Sequence, residues 1–414
     1  LKGSKIDLAA GENTLEVGGA SVAVAATGST ILSGKNASSI SLTGDTGISA
    51  TKVTMGADSD TLNITSTNSD MVVTEPLSPY PSSVTYQGTS YAVSGGTINV
   101  GNGDNSVVIN TQTGIGMTGN AKLIAGTGND SIEVAALARY GWAVYGGSIA
   151  AGEGNNTITL GGLVGLGSST NASGRVTAKA SLTTGKGNDS ISIRTSGGDG
   201  LTSQMGVGMY YSSIKDTGGA NTVTINYDGG SGAVSMHNST ISLGAGNDEV
   251  TMSSVYSSNL YGFIQTTLYG KSILDTGAGD DKVTLKGNVT GTNKKNMSAV
   301  NLGAGQNILN VEGNLAYATI AGGAGKDIVS IIGENGGTYG VDGTATLQPA
   351  QISYATINLG AGDNELAIGD VAGEQNGAGS EITYSSVTLG AGNDTAQIIG
   401  HLDSSTIKDA GGNN

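Results

Sequence analysis

The chain has 414 residues, of which 71 are Gly and 15 Tyr, with one Trp, one Phe and no Cys. So few large aromatics argue against an ordinary globular core, and a formal net charge of −15 argues against direct binding to nucleic acid or an anionic membrane surface. No apolar run approaches the roughly 20 residues of a bilayer span, and the absence of Cys fits an exported, extracellular or cell-surface protein without disulfide staples.

Read from the N-terminus, one unit recurs: a short strand, a Gly-rich turn, a second strand and a return of variable length. Faint copies of the turn end at Asn13 and Asn36, and clearer ones span 56–60 and 101–105. Between these two lies the longest return, with Pro76, Pro79 and Pro81. Proline removes ladder donors, so 66–95 is expected to leave the sheet as a projecting loop. The turn returns at 126–130, 152–156, 185–189 and, more weakly, 218–221. It is clearest in Ser239-Thr-Ile-Ser-Leu-Gly-Ala-Gly-Asn-Asp248-Glu-Val-Thr-Met252, and recurs at 277–281, 303–307, 322–327, 360–364 and 390–394.

The turn therefore closes at 13, 36, 60, 105, 130, 156, 189, 221, 248, 281, 307, 327, 364, 394 and 414, at intervals of 20 to 45 residues. A floor with variable excess predicts a solenoid coil with outward loops. Both flanking strands alternate apolar and polar residues, as in Ile241-Ser-Leu243 and Val250-Thr-Met252, and so point one face inward. One unit cannot bury that face alone, whereas stacked units can. The reading is all-β: a parallel β-helix, or β-solenoid, of about 15 irregular coils over residues 1–414. The final unit breaks off at Asn414 without a polar cap. This predicts either a segment of a longer protein, with further repeats of the same chain, or a protomer that self-associates.

Tyr precedes the first strand of several units, as Tyr211, Tyr317, Tyr354 and Tyr384. Stacking should bring these residues onto one line at a corner, as a packing ladder, a sugar-binding stripe or a subunit contact.

Glycines separated by one residue allow positive φ in a tight turn, and a following Asn or Asp can hydrogen-bond locally. This explains the glycines, but not a carboxylate at the final position of seven units: Asp60, Asp130, Asp189, Asp248, Asp281, Asp327 and Asp394. Here the sequence resembles the nonapeptide repeat of RTX proteins, Gly-Gly-x-Gly-x-Asp-x-U-x, where U is a large apolar residue. Gly322-Gly-Ala-Gly-Lys-Asp327-Ile-Val-Ser330 matches that pattern in full, and most other copies match from the second Gly onward. The resemblance implies Ca²⁺ held between stacked turns, with Asp130, Asp189, Asp248, Asp280, Asp281, Asp327 and Asp394 as ligands; hard oxygen donors suit that ion. The sequence departs from the family in its longer spacing, in the usual loss of the first Gly, and in Asn at 105, 156, 221, 307 and 364. Asn brings no charge, and stacked Asn can form a side-chain hydrogen-bond ladder instead. The pair Asp248 and Asp281, with Asp280 beside it, is the best place for the cation.

Catalysis is not expected. His237 and His401 lie in unrelated contexts, Arg139, Arg175 and Arg194 stand outside any dense polar cluster, and no nucleophile elbow, His-Glu-x-x-His or phosphate loop occurs. The sequence favours an extracellular structural solenoid, such as a filament, surface layer or adhesin stalk. The alternative is a solenoid that binds or cleaves polysaccharide, such as a tailspike or lyase, with a surface polysaccharide as partner.

Overall fold

In the computed structural model the described residues are 1–67, 72–74, 85–87, 90–137, 141–170, 175–195, 206–227, 233–254, 265–333, 335–339, 345–347, 349–369 and 379–414. They are strands and turns, with no helix among them. The long strands fall into three parallel sheets of 15, 14 and 14 strands. The chain is a parallel β-solenoid.

Each coil contributes one strand to each sheet. The first precedes the Gly-rich turn, as at Thr97–Gly101; the second follows it, as at Ser106–Thr111; the third is the return, as at Ile115–Thr118. The return, which the sequence marks only as variable in length, thus contributes a strand of its own. The chain divides into two compact units, Leu1–Gly218 with Tyr227–Ser231, and Gly219–Asn226 with Gly232–Asn414.

In the first unit the register stacks like on like. Leu62, Val107, Ile132, Ile158 and Ile191 form one column of the second sheet, and Ile64, Ile109, Val134, Leu160 and Ile193 form another. All ten are buried. At roughly 1.5–3 kcal/mol per fully buried aliphatic side chain, these columns are the main favourable contribution to the stack. The third sheet shows why the composition is poor in large residues. Ala92, Gly116, Ala143 and Gly165 lie level in successive strands and face the second sheet. A Cβ on Gly116 would stand 2.6 Å from Cγ1 of Val134. The core is too narrow there for anything larger than Ala.

The second unit repeats the scheme. Val223, Val250, Val283, Leu309, Val329 and Leu366 are stacked in its second sheet, and Met236, Leu268, Val289, Leu315, Ile352 and Ile382 in its third.

Register corrects one turn. Asn13 pairs with Ser38 and Ser39 with Thr61, so Ser38, not Asn36, occupies the turn-closing position. The frame is five residues long, Gly34 to Ser38, as in Gly56 to Asp60; Asn36 sits at its middle. Within the segment 66–95, Val72–Thr74 and Thr85–Gln87 pair antiparallel in a separate two-stranded sheet. Pro76, Pro79, Pro81 and the rest of 75–84 lie outside the described residues, as does Arg139. Two further antiparallel pairs occur in returns, Ser169–Thr170 with Val176–Ala178 and Asn335–Tyr339 with Ala345–Leu347.

Candidate functional site

The turns form the most regular polar structure of the chain. At the closing position the backbone N–H is buried and needs an acceptor. The side chain at the same position of the following coil supplies it. In the first unit Ser38 N–H donates to Asp60 Oδ1 at 2.7 Å, Asp60 to Asn105 at 3.0 Å, Asn105 to Asp130 at 2.9 Å, Asp130 to Asn156 at 3.0 Å and Asn156 to Asp189 at 2.8 Å. In the second unit Asn221 donates to Asp248 at 2.8 Å, Asp248 to Asp281 at 2.8 Å, Asp281 to Asn307 at 3.0 Å, Asn307 to Asp327 at 3.4 Å, Asp327 to Asn364 at 2.9 Å and Asn364 to Asp394 at 2.8 Å. Asp394 N–H donates to Asn414.

A second, exposed ladder runs one residue earlier and in the opposite sense. Asn129 N–H donates back to Asp104 Oδ1 at 2.7 Å, Asn155 to Asn129 at 2.9 Å and Asn188 to Asn155 at 2.7 Å. In the second unit Asp280 donates to Asn247 at 2.9 Å, Gln306 to Asp280 at 2.8 Å, Asn393 to Asp363 at 2.7 Å and Asn413 to Asn393 at 3.0 Å. Neighbouring turns thus exchange one bond in each direction, and this is why Asx residues occupy both final positions. The sequence signal for the outer ladder is the Asn or Asp that precedes the closing residue.

Two glycines keep the coils this close. At Gly279 φ is +148°, and a Cβ there would collide with the carbonyl oxygen of Gly246 in the coil before.

Asp and Asn alternate along the buried ladder. Asn105, Asn221 and Asn307 also donate from Nδ2 to Oδ1 of the next Asp, at 2.8, 2.9 and 2.8 Å. Asn105, Asn156, Asn221 and Asn364 donate as well to the glycine carbonyl two residues back, at 2.9, 3.1, 2.9 and 3.0 Å. The carboxylates have less support. Oδ2 of Asp60, Asp130 and Asp394 is buried without a hydrogen-bond donor among the described residues. Burial accordingly raises Asp60, Asp130, Asp281 and Asp327 above the usual carboxylate range and Asp189 to about 6, only partly offset by amide donors.

Of the residues proposed as calcium ligands, Asp130, Asp189, Asp248, Asp281, Asp327 and Asp394 occupy the buried ladder and Asp280 the exposed one. Each alternating rung offers one carboxylate, and at Asn105, Asn221 and Asn307 an amide N–H points at it from the preceding coil. Among the described residues no three His, Cys, Asp or Glu side chains come together in a metal-holding group. Along the described buried ladder, only the Asp248–Asp281 step places carboxylates at the closing position of successive coils.

No protein family, curated protein or solved structure matches this chain. The resemblance to RTX repeats rests on the turn sequences alone.

The tyrosines divide between the units. Tyr317, Tyr354 and Tyr384 stack face to face, with centroids 4.9 and 5.1 Å apart and planes within 3° and 6°. Each takes a positive φ, 48–51°, at the corner leading into the first-sheet strand. Tyr211 takes the same corner conformation in the first unit, but packs edge-on against Tyr210 at 4.7 Å, beside the cluster of Trp142, Ile115, Val164 and Val207. Lys294 Nζ lies 5.1 Å from the Tyr354 centroid, a neighbour that sequence reasoning missed.

The two histidines sit on different strands of the third sheet, Ala233–His237 and Gly400–Asp403. His237 is buried and stacked on Tyr269 at 5.2 Å, and burial lowers it to about 4. His401 is exposed in Gly400–Asp403, and Arg175 and Arg194 are exposed.

Proposed function

We propose that this chain is a structural β-solenoid of an extracellular or cell-surface assembly, a filament, surface-layer or stalk protein rather than an enzyme. The observation that carries this reading is the pair of opposed Asx ladders. The polar residues that stand out in the sequence are consumed in joining one coil to the next, an investment in a cohesive stack rather than in a reactive site. Export is supported by composition: no Cys and a strongly acidic chain.

Pulling the chain from its two termini in a single-molecule force experiment tests the mechanical role. Resisted extension in steps of about one coil each is expected. Extension without resisted steps would remove the reason for a structural assignment. A parallel assay for new reducing ends on polysaccharides should give none; their appearance would favour the lyase or hydrolase alternative.

Calcium belongs to this proposal at one place, the Asp248, Asp280 and Asp281 step, where a hard divalent ion would relieve repulsion between successive carboxylates.

A further inference from the structure

Three of the seven lysines of the second unit are in ion pairs: Lys282 with Glu249 at 2.7 Å, Lys326 with Glu365 at 2.5 Å and Lys286 with Glu312 at 3.9 Å. Of the other four, only Lys294 and Lys295 are adjacent in sequence. Lys294 and Lys295 are exposed in the loop between Asn288–Thr290 and Ser298–Asn301, and neither has a carboxylate within 4.0 Å among the described residues. That loop is held in shape. Thr292 N–H donates to Asn296 O at 2.9 Å, and Asn293 Oδ1 accepts from the amides of Lys295 and Asn296 at 2.9 and 3.2 Å. Gly291 is pressed against the backbone of Tyr317, where a Cβ would overlap the carbonyl oxygen. The loop backbone is therefore held beside the tyrosine stack, and Lys294 and Lys295 line an open cleft of about 510 Å³ with Asn293, Tyr317 and Tyr354.

We infer that this corner binds a carboxylate-bearing polysaccharide, with Lys294 and Lys295 taking uronate carboxylates and the tyrosine stack taking the sugar rings. Three features favour that ligand. In a chain of net charge −15, two adjacent unmatched lysines make a local positive site that selects an anion. Tyr combines an apolar face with a hydroxyl, which suits the mixed C–H and O–H surface of a pyranose. The stack ends openly: the next corner residue is Ser404, with φ of 50°, and Tyr384 is 57% exposed, so its outer face is free to take a ring. The rings also repeat every 5 Å or so, a spacing comparable to the rise per sugar in an extended chain, so a polymer gains contacts that a monosaccharide does not.

Affinity electrophoresis of the full chain tests this, with gels containing polygalacturonate, its fully methyl-esterified form, or polyglutamate. Retardation by polygalacturonate alone is expected. It should weaken on the order of tenfold in Lys294→Gln/Lys295→Gln, through loss of two charge-assisted contacts, and likewise in Tyr354→Asn, which keeps a residue tolerant of positive φ. The lysines are exposed loop residues, so that variant should melt like the parent; it decides the matter alone should the tyrosine variant fold poorly. The inference is overturned by no retardation in polygalacturonate, by equal retardation in the ester (no role for the carboxylate) or in polyglutamate (no role for the sugar), or by unchanged binding in the lysine variant.

Discussion

The backbone N–H of Asp248 donates to Oδ1 of Asp281 at 2.8 Å, the one rung of the buried ladder in its unit where Asp follows Asp. Everywhere else in that unit Asn separates the carboxylates. Asp281→Asn restores the alternation, and its amide can still accept the Asp248 N–H. In chelator the variant should be more stable than the parent by about 1 kcal/mol or more, the scale of a like-charge contact in a partly shielded site. Added Ca²⁺, and not Mg²⁺, should raise the parent's melting temperature and leave the variant unmoved. Identical melts of the parent in Ca²⁺ and in chelator would end the case for calcium.

Acid should strengthen the stack over a defined window. Asp60, Asp130, Asp281 and Asp327 are held above the ordinary 3.8 and Asp189 sits at about 6. A raised carboxylate binds its proton more tightly in the folded chain, so its stabilisation is complete below the unfolded value and is lost as pH rises through the folded one. Protonated Oδ2 also acquires a donor in the place where Asn carries Nδ2. His237 acts oppositely: at about 4 instead of 6.5, it stabilises above pH 6.5 and loses that contribution as pH falls towards 4. The two contributions oppose each other over the same window, so they are read apart: in a His237→Gln background the carboxylates predict a melting temperature that rises as pH falls through about 6. Adding Asp189→Asn should reduce that slope and stabilise the chain at pH 7. A steady fall on acidification in the His237→Gln background would contradict the prediction.

Asp130 distinguishes charge from hydrogen bonding. Its Oδ1 accepts from both the backbone and Nδ2 of Asn105. Asp130→Ala leaves two buried donors without an acceptor and should cost on the order of 1–3 kcal/mol in urea unfolding. Asp130→Asn keeps an acceptor and should cost far less. Equal losses in the two variants would mean that the carboxylate charge, and not the acceptor, matters there.

Gly279→Ala combines a positive φ with a carbonyl in the space of the new methyl group. Strain of several kcal/mol is expected. Limited proteolysis should then cut near this turn, while Gly19→Ala, where φ is not positive and a Cβ meets nothing, should remain resistant.

Much of this was readable before the structure. The alternation around Ile241 and Val250 marks the two strands that flank each turn, and the recurring Gly-x-Gly-Asn-Asp frame locates nearly every turn. The third sheet was hidden because its strands are short and lack alternation: at Gly116-Met117 and Ala143-Val144 two consecutive residues are buried. Asn36 is not the closing residue because residue type alone does not carry the five-residue frame that places Ser38 there. The stacking of Tyr317, Tyr354 and Tyr384 was legible from their common offset before a strand. Lys294 against Tyr354 was not, since an outward loop's position depends on coils far away in the sequence.

Among the described rungs the buried ladder gives its N–H to the coil that follows, and the exposed ladder gives its N–H to the coil before. A turn that has both is therefore held from its two sides by different residues. One side chain can be lost without undoing the whole step, so the stack tolerates drift in its sequence, as Ser38 in the buried ladder and Gln306 in the exposed one already show.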